Sequence, residues 1–174
     1  MRFTQIKIAN FGILADVCLS PTEENSGNVV FLNGSNGRGK TSFQSAVRWC
    51  FYGLSSVDTW LSKWAVAEAD DGGQIEMQVE LSLELDGAGT TAVVKRSQLF
   101  EKVSGSRTRK VGQEVLTVKT TLPGGLTDLL PNPEVWVKKY FPERFMNFFL
   151  FDGEMMKNFF DARVRERLKT PLER

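Results

Sequence analysis

The chain has 174 residues, the size of a single domain, and its 41% hydrophobic and 25% charged residues are ordinary values for a water-soluble protein. A net charge of +1 excludes a strong overall attraction to DNA or to acidic membranes, so any contact with nucleic acid must come from local patches. The absence of histidine excludes Ser-His and Cys-His catalysis and the usual zinc sites, which leaves oxygen ligands and favours magnesium as a bound metal.

Two short strands are predicted at the start of the chain. Residues 3–8 alternate apolar with polar side chains, residues 10–12 break the pattern, and a second strand is predicted over 13–19. The apolar run over 28–32 is typical of a fully buried central strand. No stretch approaches the ~18 consecutive apolar residues of a membrane span, and the start is not a secretion signal. We therefore expect a cytoplasmic protein with no membrane partner.

Two helices are predicted after the apolar run. The apolar residues that follow Lys40 have the spacing of a helix with one buried stripe, and Gly53 is well placed to end it. These apolar residues are Phe43, Ala46, Val47, Cys50 and Phe51. A second, shorter helix is predicted over residues 57–69.

A hairpin and a third strand are predicted in the middle of the chain. Residues 75–85 alternate apolar with polar side chains, 86–89 supply a turn, and 90–100 return as the partner strand. Residues 101–110 are polar and basic, and we predict a loose tip there before a strand over 113–120.

The last part of the chain is predicted to hold a helix over 133–140, a strand over 145–151 and a charged helix over 154–168. Strands and helices thus follow one another in mixed order. The expected fold class is α/β, with an antiparallel β layer.

The segment before the helix at Lys40 fits the phosphate-binding pattern G-x-x-x-x-G-K-[ST]. Its glycines allow a tight turn whose N–H groups point at phosphate oxygens, and the helix that follows adds the positive end of its dipole. Lys40 would act in catalysis by reaching the β- and γ-phosphates of ATP, and the Thr41 hydroxyl would coordinate Mg²⁺. Arg38 either adds charge near the phosphates or faces solvent. The predicted nucleotide-binding residues are Gly34, Ser35, Asn36, Gly37, Arg38, Gly39, Lys40, Thr41 and Ser42.

A second informative segment is the apolar run 148–151, which ends in Asp152. A carboxylate at the tip of a buried strand can meet the metal at the phosphate loop, so Asp152 is predicted to be catalytic and to share Mg²⁺ with Thr41. A Walker B strand has this form, with a following glutamate that polarises the attacking water. Here Gly153 separates Asp152 from Glu154, which is not the usual adjacent pair.

Three segments carry a family resemblance: Ile8-x-Asn10-Phe11-Gly12, Gly34-x-Asn36-Gly37-x-Gly39-Lys40-Thr41, and residues 148–154. Together they resemble the amino-terminal half of DndD, the coiled-coil ATPase of bacterial DNA phosphorothioation systems, over residues 1–165. The wider relatives are SMC, RecF and RecN type ATPases. The resemblance implies a P-loop NTPase fold of the ABC-type head-lobe kind, with a mixed sheet plus an antiparallel β layer.

The resemblance further implies that residues 1–160 are the amino-terminal lobe of an ATPase head and that 161–174 begin a coiled coil. In these relatives the segment with Asp152 is the Q-loop, which makes Asp152 the magnesium and water contact. The Walker B strand, the signature motif and the switch histidine would lie in a carboxy-terminal lobe, so we expect the natural chain to continue past Arg174. ATP hydrolysis would need that lobe and a second copy of the head. DNA and other defence or modification subunits would be partners of the assembled complex.

Several features allow two interpretations each. Arg38 replaces the serine or alanine that is common at its position in the relatives. The charged helix over 154–168 is the root of a coiled coil or an ordinary solvated helix. Lys95, Arg96 and the basic stretch 107–110 contact DNA phosphates or form a solvated face, and the solvated face is the default.

The tryptophans Trp60, Trp64 and Trp136 are expected to fill the core and not to stack on bases. In SMC-like heads part of the adenine contact comes from the first strand region, which makes Asn10 and Phe11 weak candidates for it.

Two other functions fit the same motifs. A self-contained P-loop kinase or NTPase would use Asp152 as its Walker B residue and Glu154 as the base, and would hydrolyse ATP rapidly as this chain alone. A binding module gated by ATP would need no turnover. The Asp152→Asn variant separates these functions, because gating would survive the loss of hydrolysis.

Overall fold

Alternation of apolar and polar side chains builds the main element of the fold, a six-stranded antiparallel sheet in the order β2-β1-β3-β4-β5-β6. The computed structural model describes residues 1–21, 32–35, 37–54 and 56–145. The strands are β1 Arg2–Phe11, β2 Leu14–Leu19, β3 Gln74–Glu84, β4 Thr91–Ser104, β5 Arg107–Thr121 and β6 Thr127–Leu129.

Helices lie against one face of this sheet. They are α1 Lys40–Tyr52, α2 Lys63–Glu68 and α3 Pro133–Tyr140, with 3-10 helices at Val57–Trp60 and Glu143–Phe145. Helix α1 packs on β1, β3 and β4, and its apolar stripe meets the buried side chains of those strands. Full burial of each such side chain stabilises the fold by roughly 1.5–3 kcal/mol. This layer supplies most of the core. Among the described residues no helix is long and apolar enough to cross a membrane.

The opposite face of the sheet is polar and carries charges of both signs. Lys7, Glu80 and Lys95 lie side by side across β1, β3 and β4. The Lys7 ammonium lies 3.0 Å from a Glu80 carboxylate oxygen, and this contact raises the pKa of Lys7. Because these ion pairs are exposed, they contribute little to stability.

The structure confirms five predicted elements. Strands β1, β2 and β3 lie where the alternation places them, α1 begins at Lys40 and ends before Gly53, and α3 has the predicted bounds. Gly53 has a φ of 72°, which a residue with a side chain adopts only at a cost. The turn and the return strand of the hairpin are confirmed as well, although β4 is longer than predicted.

The prediction of a single helix over 57–69 is wrong, because two short helices occupy this segment. The break falls at Leu61 and Ser62, which bond to the end of β1. Phe11 and Leu61 form an isolated bridge, and the Ser62 N–H donates to the Asn10 carbonyl at 2.9 Å. Tertiary hydrogen bonds to β1 have therefore replaced the helical ones.

The prediction of a loose tip over 101–110 is also wrong, because β4 and β5 continue through this segment as a tight hairpin. The turn needs only two residues, and its Gly105 has a φ of 59°. The backbone pairing of β4 and β5 continues to the turn, and across it Arg109 donates to both Glu101 carboxylate oxygens at 2.9 and 3.0 Å. The short strand β6 is an element that the prediction missed.

Other predictions fall at or beyond the limits of the described residues. Leu32 is exposed and outside any strand, while the rest of the strand predicted over 28–32 lies outside the described residues. The strand predicted over 145–151 meets them only at its first residue, which ends a 3-10 helix. The helix over 154–168 and the boundary at residue 160 lie outside them.

Candidate functional site

The glycine-rich loop enters α1 through two residues with left-handed backbone conformation. Gly37 has a φ of 77° and Gly39 a φ of 95°, so each occupies a region that glycine adopts without a steric penalty. The first amide that bonds within the helix is that of Phe43, which donates to the Gly39 carbonyl at 2.8 Å. The preceding amides of the first turn have no acceptor inside the helix, and they form the positive end of its dipole.

The side chain of Lys40 bends back into this loop. Its ammonium nitrogen donates to the carbonyl oxygens of Gly34 at 2.7 Å and Ser35 at 3.1 Å. The loop thus closes around a positive charge while Lys40 stays exposed to solvent. Backbone donors and an ammonium group that lie together at the exposed start of a helix are suited to an anion with several oxygens, such as a polyphosphate.

The residues at the start of α1 fit a magnesium ion that is bound together with phosphates. The described residues contain no group of three or more Asp, Glu, Cys or His side chains that could hold a metal on its own. Magnesium is commonly held by one or two protein oxygens plus phosphates and water. Thr41 is exposed beside the loop and offers such an oxygen. The second predicted ligand, Asp152, lies outside the described residues.

The turn that follows β1 forms one wall of the loop. A Cβ atom on Gly39 would lie 3.0 Å from Leu14 Cδ2 and 3.2 Å from Ile13 Cδ1, and one on Gly12 would lie 3.0 Å from Ser42 Oγ. The Gly12 N–H also donates to the Trp60 carbonyl at 2.5 Å. The prediction did not include this wall, and its only signal in the sequence is the Asn-Phe-Gly break.

A groove of about 600 Å³ opens beside the same turn. Its lining includes Asn10, Ile13, Trp64, Glu68, Gln74 and Glu76. Ile13 belongs both to this groove and to the wall of the loop, so the two features are contiguous. The volume lies within the range of small-molecule sites.

Trp64 departs from the prediction that the tryptophans fill the core. Its side chain is 68% exposed on the groove, whereas Trp60 and Trp136 pack against the core as expected. Phe11 is fully buried, with its ring 5.2 Å from that of Trp60 and 5.6 Å from that of Trp49. Phe11 is therefore excluded as a contact of a base, while Asn10 lines the groove with its side-chain amide donating to the Glu76 carbonyl at 2.9 Å.

The basic stretch 107–110 is not a free phosphate-binding patch. It lies in a strand, where Arg109 pairs with Glu101 and Lys110 lies 2.9 Å from Asp58. Lys95 lies 3.7 Å from Glu76, and Arg96 is buried. Four of the five predicted cations thus have a carboxylate neighbour or are hidden from solvent, which favours the solvated-face interpretation, while the fifth, Arg107, is exposed.

The structure brings together most of the predicted nucleotide-binding residues. These are Gly34, Ser35, Gly37, Arg38, Gly39, Lys40, Thr41 and Ser42. Arg38 is exposed, so both of its predicted roles stay open. Asn36, Asp152 and Glu154 lie outside the described residues.

Comparisons with known proteins agree with this geometry. A family model described as an AAA domain matches residues 5–169. The chain is 30% identical over 129 residues to the DNA double-strand break repair Rad50 ATPase of Halobacterium salinarum, across 74% of this chain and 13% of that protein. It also aligns with a solved structure from work on "ATP-driven dimerization and DNA stimulated activation of SMC ATPases", with a TM-score of 0.49, 12% identity and coverage of 97% and 96% of the two chains. The family match, with the helices and antiparallel layer described above, confirms the predicted α/β P-loop fold class.

Proposed function

Because the chain belongs to the AAA domain family, we propose that it is the ATP-binding lobe of an SMC-like ATPase head. The observation that carries this proposal is the loop at the start of α1, where the Lys40 ammonium lies beside the helical amides that have no acceptor within the helix. A triphosphate would replace the carbonyls of Gly34 and Ser35 as the partner of Lys40. The exchange is favourable because a charged phosphate oxygen is a stronger acceptor than a neutral carbonyl.

The triphosphate would be held mainly by the backbone. Amides at the start of α1 would donate to the β- and γ-phosphates, and the dipole of this 13-residue helix would favour the negative charge. Lys40 would neutralise part of that charge. Bound Mg²⁺, held by Thr41 and Asp152, would neutralise further phosphate charge.

The groove beside the loop would receive the base and the ribose. Its position supports this role, because Ile13 joins it to the wall of the phosphate loop. Trp64 presents an exposed ring on which a base can stack, an interaction that is worth roughly 1–3 kcal/mol per base. Asn10, Glu68 and Glu76 supply polar groups around that ring.

Hydrolysis would require more than this lobe. The chain spans 13% of the length of the Rad50 relative, and it contains no signature-like Ser-Gly-Gly and no histidine. We propose that a carboxy-terminal lobe and a second copy of the head complete the site around Asp152. Residues 1–160 would be the lobe and 161–174 the start of a coiled coil.

The proposed biological task is work on DNA in modification, restriction or phage defence, in the cytoplasm. The DndD-like segments support it, and the name of the Rad50 relative places a similar ATPase in DNA repair. DNA would be contacted through the assembled complex, because the strand cations Lys95, Arg109 and Lys110 are paired with carboxylates and Arg96 is buried.

A calorimetric titration of the chain with Mg-ATP, together with a multiple-turnover assay, tests the proposal. Wild type should bind Mg-ATP weakly and hydrolyse it very slowly, because part of the binding energy would come from head dimerisation. Lys40→Ala should abolish binding, whereas Lys119→Ala, which removes an exposed lysine from β5, should leave it unchanged. Rapid turnover by this chain alone would instead support the self-contained NTPase with Asp152 as its Walker B residue.

A further inference from the structure

A buried charged network holds the end of α1 that lies away from the phosphate loop. Arg96 of β4 donates from Nε to the Cys50 carbonyl at 2.9 Å and from Nη2 to the Phe51 carbonyl at 3.2 Å. Both carbonyls belong to the last turn of the helix, where no intrahelical donor remains and where the dipole is negative. Arg96 therefore caps the helix with a complementary charge.

Glu114 of β5 fixes this arginine and also the helix itself. One carboxylate oxygen accepts from Arg96 Nη1 at 2.5 Å, and the other accepts from the Trp49 indole N–H at 2.8 Å. Glu134 of α3 lies farther from the arginine, at 3.7 Å. A Cβ atom on Gly53 would lie 3.0 Å from the Glu114 carboxylate, so the residue after α1 leaves room for this contact.

Strand β5 departs from regular pairing at this carboxylate. The pairs Ser97–Val115 and Leu99–Val111 enclose one residue of β4 but three residues of β5, and Glu114 is the last of these three. The first of them, a glycine, has a φ of 69°. Such bulges re-aim a side chain, and here the carboxylate reaches the helix side of the sheet.

Trp49 links this network to the other end of the helix. The indole is fully buried and packs on Phe11, which stacks on Trp60. Gly12, the next residue after Phe11, bonds to Trp60 and lies against Ser42 in the first turn of α1. Both ends of the helix are thus tied to the same end of β1.

The length of α1 makes its orientation critical for the phosphate loop. Thirteen residues span about 20 Å, so a tilt of about 3° at one end displaces the other by about 1 Å. A displacement of this size would change the distance from the helix amides and Lys40 to a bound phosphate.

We propose that Glu114 is a positioning residue for the phosphate loop, acting through Arg96 and Trp49 on the orientation of α1. The inference rests on the proposed function, because it concerns nucleotide binding at that loop. Loss of the carboxylate leaves a buried guanidinium without its nearest partner and an indole N–H without its acceptor. The end of α1 would then shift to restore hydrogen bonds, and the loop would move with it.

The test is calorimetric titration of the chain with Mg-ATP at a temperature where every variant is folded. Glu114→Ala should weaken binding by roughly 2- to 30-fold, the range of long-distance couplings. Glu114→Gln should weaken it less, because its amide oxygen keeps one of the two acceptors.

Two control variants separate positioning from general destabilisation. Glu101→Gln removes the carboxylate of another arginine pair on the same two strands. Asp86→Ala removes the acceptor of the Ala88 and Thr90 amides in the turn between β3 and β4, and so lowers stability. Both should bind Mg-ATP as tightly as wild type does.

The possible results lead to different conclusions. Wild-type affinity in Glu114→Ala would overturn the inference and leave the proposed function intact. Equal losses of affinity in Asp86→Ala and Glu114→Ala would also overturn it, because destabilisation alone would explain them. A wild-type chain that does not bind Mg-ATP would overturn both proposals.

Discussion

At the scale of single residues, the two left-handed glycines of the phosphate loop differ in their surroundings. Among the described residues, a Cβ atom on Gly37 would meet nothing within 4 Å, whereas one on Gly39 would press against Leu14 and Ile13. The conformational cost of a side chain is similar at both positions, so the contacts with the β1–β2 turn account for the difference. These two glycines therefore provide a matched pair of substitutions.

We predict that Gly39→Ala lowers the free energy of unfolding more than Gly37→Ala does. Each should cost roughly 1–2 kcal/mol for the left-handed backbone. Gly39→Ala should lower the free energy of unfolding by about 1 kcal/mol more, because its methyl group would crowd Leu14 and Ile13. This value is at the low end of the range for overpacked cores, since the ends of these two side chains can move. Urea denaturation of both variants measures the difference. Equal losses of stability would show that the turn does not support the loop.

The types and the spacing of its residues predict the phosphate loop from the sequence alone. They do not predict which residues surround the loop. The pattern of glycines and lysine specifies a local backbone, which needs no knowledge of distant contacts. Trp64 and Phe11 show the opposite case. The sequence predicts Trp64 in the core and makes Phe11 a weak candidate for an adenine contact, but the packing of residues 57–69 against β1 buries Phe11 and exposes Trp64.

At the scale of elements, α1 carries two protonated groups near the sheet and α3. The Cys50 thiol donates to the Val79 and Val94 carbonyls, and burial raises its pKa to about 12. The Tyr52 hydroxyl donates to the Phe141 carbonyl at 2.7 Å, and burial, followed by the charge of Glu143, raises its pKa to about 12. Both groups therefore hold their protons more tightly in the folded chain.

This binding of protons predicts a loss of stability at high pH. The unfolded chain releases these protons near pH 9.0 and 10.0, whereas the folded chain keeps them until about pH 12. The stabilisation is complete below the unfolded values and is lost as the pH rises through this window. Urea denaturation between pH 8 and 12 measures the slope, which Tyr52→Phe and Cys50→Ala should each reduce. An unchanged slope in both variants would contradict the prediction.

The sequence predicts well the elements whose apolar residues recur with a regular spacing. It does not predict the elements whose structure depends on tertiary contacts. Strand β3 and helix α1 each bury one face, so the apolar spacing alone identifies them. The tip of the β4–β5 hairpin is charged on both strands. Its extended structure depends on pairing between the strands, which the local sequence pattern does not indicate. The bulge at Glu114 likewise depends on a partner that is 65 residues away in the sequence, the Trp49 indole.

At the scale of the whole molecule, two sets of contacts among the described residues support α1, the helix that follows the phosphate loop. The β1–β2 turn supports the start of α1, and the Arg96–Glu114 network supports its end. The large antiparallel layer thus holds the helix in place.

The most direct measurement of the central claim is a crystal structure of the chain with Mg²⁺ and a non-hydrolysable ATP analogue. We expect the β- and γ-phosphates on the amides at the start of α1, Lys40 moved from the Gly34 and Ser35 carbonyls to phosphate oxygens, and the base in the groove beside Trp64. A phosphate loop that stays empty at millimolar analogue, even when the carboxy-terminal lobe is supplied, or a triphosphate bound elsewhere on the chain, would contradict it.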